Sequence, residues 1–442
     1  MKFLQKMAVR DTWKHFIYNL DVQNPDEEIS ATEASSNVLG EADNVKSGAA
    51  SILDNLKTEN DNKELFSRPV PIQGIEYSID TTEIRISENI TPAIETELLK
   101  LTNLKILHAY CKEIPGTLIN LRELHARDAT EIPETLTNLR VLHSHAKEIP
   151  ETLTNLTELH APHAKEIPET LTNLRVLHTD AKEIPGTLTN LTELHAPHAK
   201  EIPETLTNLT ELHAPRAKEI PGTLTNLTEL HAHHAKEIPE TLTNLRVLET
   251  FCTEIPETLT NLRELHANSA KVIPETLMNL IILHADKATK IPATLTNLTD
   301  LFAQEATKIP RTLTNLRVLH ANSAKVIPET LINLRELRAH NAEEIPETLI
   351  NLRGLSTCVA EEIPETLTNL TDLKTFCAAI PATLTNLTDL VAYNAKEIPA
   401  TLTNLTTLFA AFVKDIPVEL TNLKIVSIMD FNNFSDLDEW GM

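Results

Sequence analysis

The stretch Leu153 to Thr170, LTNLTELHAPHAKEIPET, decides the fold, because the same phrase returns with small changes from about Leu98 to Val426. Counting Leu153 as position 1, its apolar residues fall at positions 1, 4, 7, 9, 12 and 15. Ile-Pro recurs eighteen times, from Ile114 to Ile416, always 17 or 18 residues apart. A fixed period of this kind marks a repeat architecture in which each copy is one structural unit. A single copy cannot bury six small apolar side chains alone. Stacked copies, about 4.8 Å apart, set like on like and make one continuous core.

Positions 7 and 9, such as Leu159 and Ala161, alternate with outward Glu158, His160 and Pro162, the period of a short half-buried strand. Ala164 and Ile167 then turn inward, and Pro168 fixes φ and withholds a donor. The return is therefore extended or 3₁₀, too short for a full helix. The expected fold is an α/β-type solenoid of about nineteen coils, each one strand and a mostly non-helical return arc.

This pattern resembles the leucine-rich repeat, in which Leu-x-x-Leu-x-Leu-x-x-Asn-x-Leu forms the strand side and Leu/Ile-Pro-x-x-Leu-x-x-Leu the return. The resemblance implies a concave parallel β-sheet and a protein-binding role. The strand side departs from the family: Ala161 stands where a Leu is usual, Ala164 where the buried Asn is usual, and two residues are missing. A shorter coil encloses a thinner core, which small Ala side chains suit. Asn instead fills position 3 in all nineteen coils, from Asn103 to Asn422, which predicts a relocated ladder of amides bonded to adjacent coils. Thr at position 18, as in Thr152 and Thr170, predicts a second ladder, broken at Glu419. Four 17-residue coils carry Ser144, Thr179, Thr250 or Thr375 at position 9, where a hydroxyl can cap backbone exposed by the tighter turn. Thr357, in an 18-residue coil, and Ala109, in the short first coil, depart from that rule.

With 39 Lys and Arg against 63 Asp and Glu, the formal net charge of −24 disfavours nucleic acid or an anionic membrane as partner. Cys111, Cys252, Cys358 and Cys377 sit far apart without metal-type spacing and read as reduced thiols. With no transmembrane run and no secretory signal, the expected location is a cytoplasm. That is the producing cell's, or a host cell's reached by a route independent of a signal peptide.

Outside the repeats, residues 1–20 pattern as an amphipathic helix, and 21–66 as an acidic flexible linker with eleven acids and three lysines. The helix leaves open a weak membrane or partner contact. Residues 67–97 form an expected N-terminal cap, with a hairpin around Asp80-Thr81-Thr82; the solenoid follows over 98–427 and a cap or tail over 428–442. That acidic, hydrophobic tail and the near-perfect repetition resemble leucine-rich-repeat effectors of intracellular bacterial pathogens.

One outward column, position 8, holds His108, His125, His143, His160, His178, His195, His213 and His231 without a break. Adjacent like charges about 5 Å apart repel by around 1 kcal/mol even in water, so protonation is expected to spread downward from about pH 6.5. Three readings stand side by side: a solvated ladder copied with the repeat, a pH-sensitive face, and metal binding. Towards the C-terminus outward positions become apolar, with Phe302, Phe376, Val391, Tyr393, Phe409 and Phe412, which mark a candidate partner-binding patch. No nucleophile, base and acid recur together and no glycine-rich phosphate loop exists, so no enzyme, cofactor or dedicated metal centre is expected. The leading expectation is a protein-binding scaffold; the alternative is a pH- or metal-responsive binder using the His stripe.

Overall fold

The structure, a computed structural model, describes residues 69–428. The N-terminal helix and acidic linker expected over 1–66, and the tail beyond Ile428, lie outside the described residues.

A two-stranded hairpin opens the described chain: β1 (Val70–Ile72) pairs antiparallel with β2 (Ile75–Tyr77). Its turn is Gln73-Gly74, with φ of 51° and 78°. Two successive left-handed residues twist the turn to match the flanking strands. The expected hairpin around Asp80-Thr81-Thr82 is thus displaced. Ile84 and Ile86 instead belong to β3 (Glu83–Ile86), the first strand of the main parallel sheet, paired with β4 (Ile106–Ala109). Between them lies α1 (Pro92–Lys100), capped by Thr91, whose hydroxyl accepts from the Ile94 N–H. Thr91-Pro92 is a standard start signal, with a capping oxygen followed by a residue that has no N–H to satisfy.

From β4 onward each coil contributes one strand, ending with β22 (Ile425–Ile428), which gives a parallel sheet of twenty strands. The strands pair in sequence order, and β3 and β22 have one partner each, so the sheet is an open ribbon. Pairing is in register: Leu212 faces Leu230 and His213 faces His231. The Leu residues at positions 1, 4 and 7 of the central coils, such as Leu224, Leu227 and Leu230, are fully buried.

No helix forms in the returns of the described coils. Single turns replace it, as when the Leu153 N–H donates to the Pro150 carbonyl at 3.3 Å and the Leu156 N–H to the Leu153 carbonyl at 3.1 Å. Both expected ladders form. Asn155 Nδ2 donates to the Thr137 carbonyl of the preceding coil at 2.8 Å, and the contact repeats from Asn138 through Asn422. Thr152 Oγ1 likewise donates to the Glu134 carbonyl at 2.6 Å. The amides sit on the exposed edge of the coil.

The short coils close by a different bond. In an 18-residue coil the Ala164 N–H donates to the Ala161 carbonyl at 3.1 Å. In four 17-residue coils the corresponding N–H donates to the buried hydroxyl two residues back: Ala146 to Ser144, Ala181 to Thr179, Cys252 to Thr250 and Cys377 to Thr375, at 3.0–3.2 Å; the short first coil carries Ala109 there instead. The side chain supplies the acceptor that the deleted residue removed.

Candidate functional site

Two features share the outward face of the sheet, a histidine column and an apolar depression. The column comes first in the chain. Rings from His108 to His231 stack coil on coil with centroids 3.8–4.4 Å apart. Position 6 lies two residues before the histidine on the same face, because strand side chains alternate. At four position-6 residues, Glu158, Glu193, Glu211 and Glu229, the carboxylate reaches two rings at once. Glu158 Oε1 lies 2.9 Å from His160 Nε2 and 3.2 Å from His143 Nε2. Glu211 Oε1 lies 3.0 Å from His195 Nε2 and 3.1 Å from His213 Nε2. The paired rings hold the Glu158 and Glu211 carboxyls well below the usual carboxylate range.

Glu249 ends the first stack by replacing its ninth ring. Its two oxygens accept from His231 Nδ1 at 2.7 Å and His233 Nε2 at 2.8 Å, and the His231 bond pulls its pKa to about 2. A second stack follows, His266, His284, Phe302 and His320, with centroids 4.0–4.5 Å apart.

Protonation therefore does not spread downward uniformly, as the sequence alone suggests. His284 follows the expectation: burial, then the charge of neighbouring His266, lowers it to about 4. At His231 burial opposes the charge, yet Glu229 and Glu249 outweigh it and push the ring up to about 9. A histidine-resolved NMR titration is expected to find His231 charged to about pH 9 and His284 neutral down to about pH 4. The consequences for stability have opposite signs. The His231 contribution is full below about pH 6.5 and is lost as pH rises through 9; that of His284 declines as pH falls from about 6.5 towards 4. Two rings titrating together near 6.5 would contradict this.

The depression has a volume of about 940 Å³ and lies over the strands from β16 (Val318–His320) to β21 (Thr407–Ala410). It brings together four of the six apolar candidates. Phe376 stacks on Tyr393 with centroids 4.4 Å apart, and Val391 pairs in register with Phe409. All four line the cavity and are half-buried. Phe302 is not among them, since it sits within the second histidine stack. Phe412, 55% exposed in the turn after β21, lies outside the lining.

Gly354 and Ser356 also line the cavity and were not legible as site residues. They occupy positions 6 and 8 of β18 (Gly354–Thr357), where neighbouring coils carry Glu336 and Arg338, or Asp372 and Lys374. The depression thus forms where outward side chains shrink, and a column-by-column reading for small residues would have found it. Arg338, Glu336, Asp372 and Lys374 give it a rim of mixed charge.

Cys358 also lines the depression; burial raises its thiol pKa and disfavours the reactive thiolate. Cys111, Cys252 and Cys377 are buried, and none of the four is in a disulfide. Among the described residues, no helix is long and apolar enough to cross a membrane.

No protein-family model matches the chain, and no curated protein matches its sequence. Solved structures do. The Arabidopsis receptor kinase HAESA, in complex with the peptide hormone IDA and the co-receptor SERK1, is 21% identical with a TM-score of 0.51; the match covers 79% of each chain. The functional domain of InlJ from Listeria monocytogenes is 19% identical, covering 79% of this chain and 73% of that one, with a TM-score of 0.43. YopM from Yersinia enterocolitica is 18% identical, covering 74% and 87%, with a TM-score of 0.42. With its parallel one-strand coils, stacked leucines and Ile-Pro returns, the chain has the leucine-rich-repeat fold, built from coils of 17 or 18 residues.

Proposed function

We propose that the chain is a non-enzymatic scaffold that binds a partner protein on the strand face of its sheet, anchored at the depression formed by Phe376, Val391, Tyr393 and Phe409. The observation that carries this reading is the depression itself. It places a stacked aromatic pair and two further apolar side chains in one cavity of about 940 Å³, rimmed by charges of both signs. Aromatic anchors in a pocket with a polar rim are the arrangement in which interface energy concentrates. HAESA, the similar structure with a TM-score of 0.51, is itself in complex with a peptide hormone and a co-receptor. In its most specific form the proposal is a translocated bacterial effector acting in a host cytoplasm. The unpaired thiols support a reducing compartment.

The test is capture from eukaryotic lysate, followed by calorimetry with the purified captured protein. Against a Phe376→Ala, Tyr393→Ala, Phe409→Ala variant with an unchanged circular dichroism spectrum, affinity is expected to fall at least about tenfold, or about 1.4 kcal/mol. Equal affinity for the variant would remove the depression from the binding reading. A Phe302→Ala variant serves as a control expected to bind normally.

A further inference from the structure

The histidine column holds four sets in which two ring nitrogens and one carboxylate oxygen lie within 4.8 Å of one another. They are His143–Glu158–His160, His178–Glu193–His195, His195–Glu211–His213 and His213–Glu229–His231. We propose that these sets bind divalent transition-metal ions of the zinc class, as a row of sites along the sheet.

The donor chemistry fits that class. Imidazole nitrogen suits zinc, copper and nickel, and two imidazoles with a carboxylate form a three-ligand zinc set that leaves a coordination position open. Ligand bonds of about 2.0–2.2 Å in a tetrahedral arrangement set donor atoms roughly 3.4 Å apart. The carboxylate–imidazole separations are near that, with Glu211 Oε1 3.0 Å from one ring nitrogen and 3.1 Å from the other, and all three donors of a set lie within 4.8 Å. Closing the site requires small side-chain movements. The strands carrying the donors are already paired in register, which preorganises them.

A second observation concerns His213. Its Nε2 is buried between two carboxylates, Glu211 at 3.1 Å and Glu229 at 3.5 Å. That carboxylate-flanked nitrogen is the corner shared by two of the sets.

Sharing sets the stoichiometry. His195 and His213 each belong to two sets, so overlapping sets cannot fill together through the same nitrogen. Three sets share no residue, those centred on Glu158, Glu193 and Glu229. Full loading is therefore three ions per chain, or two where the set centred on Glu211 fills instead of its neighbours. The sites lie on coils remote from the apolar depression, so this proposal stands or falls independently of the partner-binding reading.

The experiment is calorimetric titration of the full-length chain, stripped with chelator and dialysed, with zinc chloride in a non-chelating buffer. Saturable uptake of two or three ions in the micromolar range is expected. Cobalt(II) in place of zinc should show the intense visible bands of a four-coordinate ion. A Glu158→Gln, Glu193→Gln, Glu211→Gln, Glu229→Gln variant should bind at least tenfold more weakly. A His160→Asn, His195→Asn, His231→Asn variant breaks every set by a different residue and should do the same. Circular dichroism must show both variants folded. Uptake absent at micromolar zinc, more than three ions per chain, or variants that bind like wild type would overturn the assignment.

Discussion

Leu230→Ala is expected to lower the unfolding free energy by about 2–5 kcal/mol, read as a fall in the urea midpoint. The side chain is fully buried on β11 (Glu229–Ala232), in register with Leu212 on one side and Leu248 on the other. Its neighbours cannot collapse into the space, because strand pairing fixes the spacing of the coils on either side. The lost isopropyl group therefore leaves a cavity. In a stack whose stability is a sum of neighbouring interfaces, the damage stays local. The melt is expected to broaden or split, with the coils beside Leu230 exchanging amide protons before the rest. A loss below about 1 kcal/mol would mean the core is looser than the burial shows.

Thr250→Val and Thr357→Val are expected to change stability in opposite directions, although both hydroxyls occupy position 9 and both residues are buried. The Thr250 hydroxyl accepts from the Cys252 N–H at 3.2 Å and donates to the Ala232 carbonyl at 3.2 Å. Replacing it with a methyl strands a buried N–H, at a cost of about 1–3 kcal/mol. The Thr357 hydroxyl is buried without a partner in its 18-residue coil. Removing it relieves an unpaid desolvation penalty, so the variant is expected to gain stability, by up to roughly 1 kcal/mol. Paired thermal melts of the two single variants decide the matter. Destabilisation of similar size in both would show that the short-coil bond does not set the difference.

The coils were legible because each one packs on a near copy of itself. Position 4 meets position 4, so the column in the sequence is the column in space, and both ladders could be read before any coordinates. The cap was less legible because nothing repeats there. Ile84 and Ile86 alternate as a hairpin strand would, but the same alternation serves the first strand of a parallel sheet, and only the pairing with β4 separates the two. Gly74 at the true turn and Thr91-Pro92 at the helix start are local signals that the alternation-based reading passed over.

At the site, composition located the apolar residues but not their neighbours. Phe302 reads like Phe376 in one dimension, yet β15 (Asp300–Phe302) lies between two histidine strands, where it stacks on the His284 ring and meets His320 edge-on. The shared carboxylates were half legible. Glu and His two residues apart on a strand must face the same way, whereas one oxygen serving two coils depends on rotamers that no column records.

The hydroxyl bond of the short coils has a consequence for how such an array can change over time. Ordinarily the loss of one codon inside a strand-bearing repeat shifts every following side chain to the wrong face. Here the coil absorbs the loss at its corner, with a single change of Ala to Ser or Thr supplying the missing acceptor, and the next coil starts in phase. The array can thus lose or regain a residue per copy by small genetic steps, each repaired within the copy where it occurs.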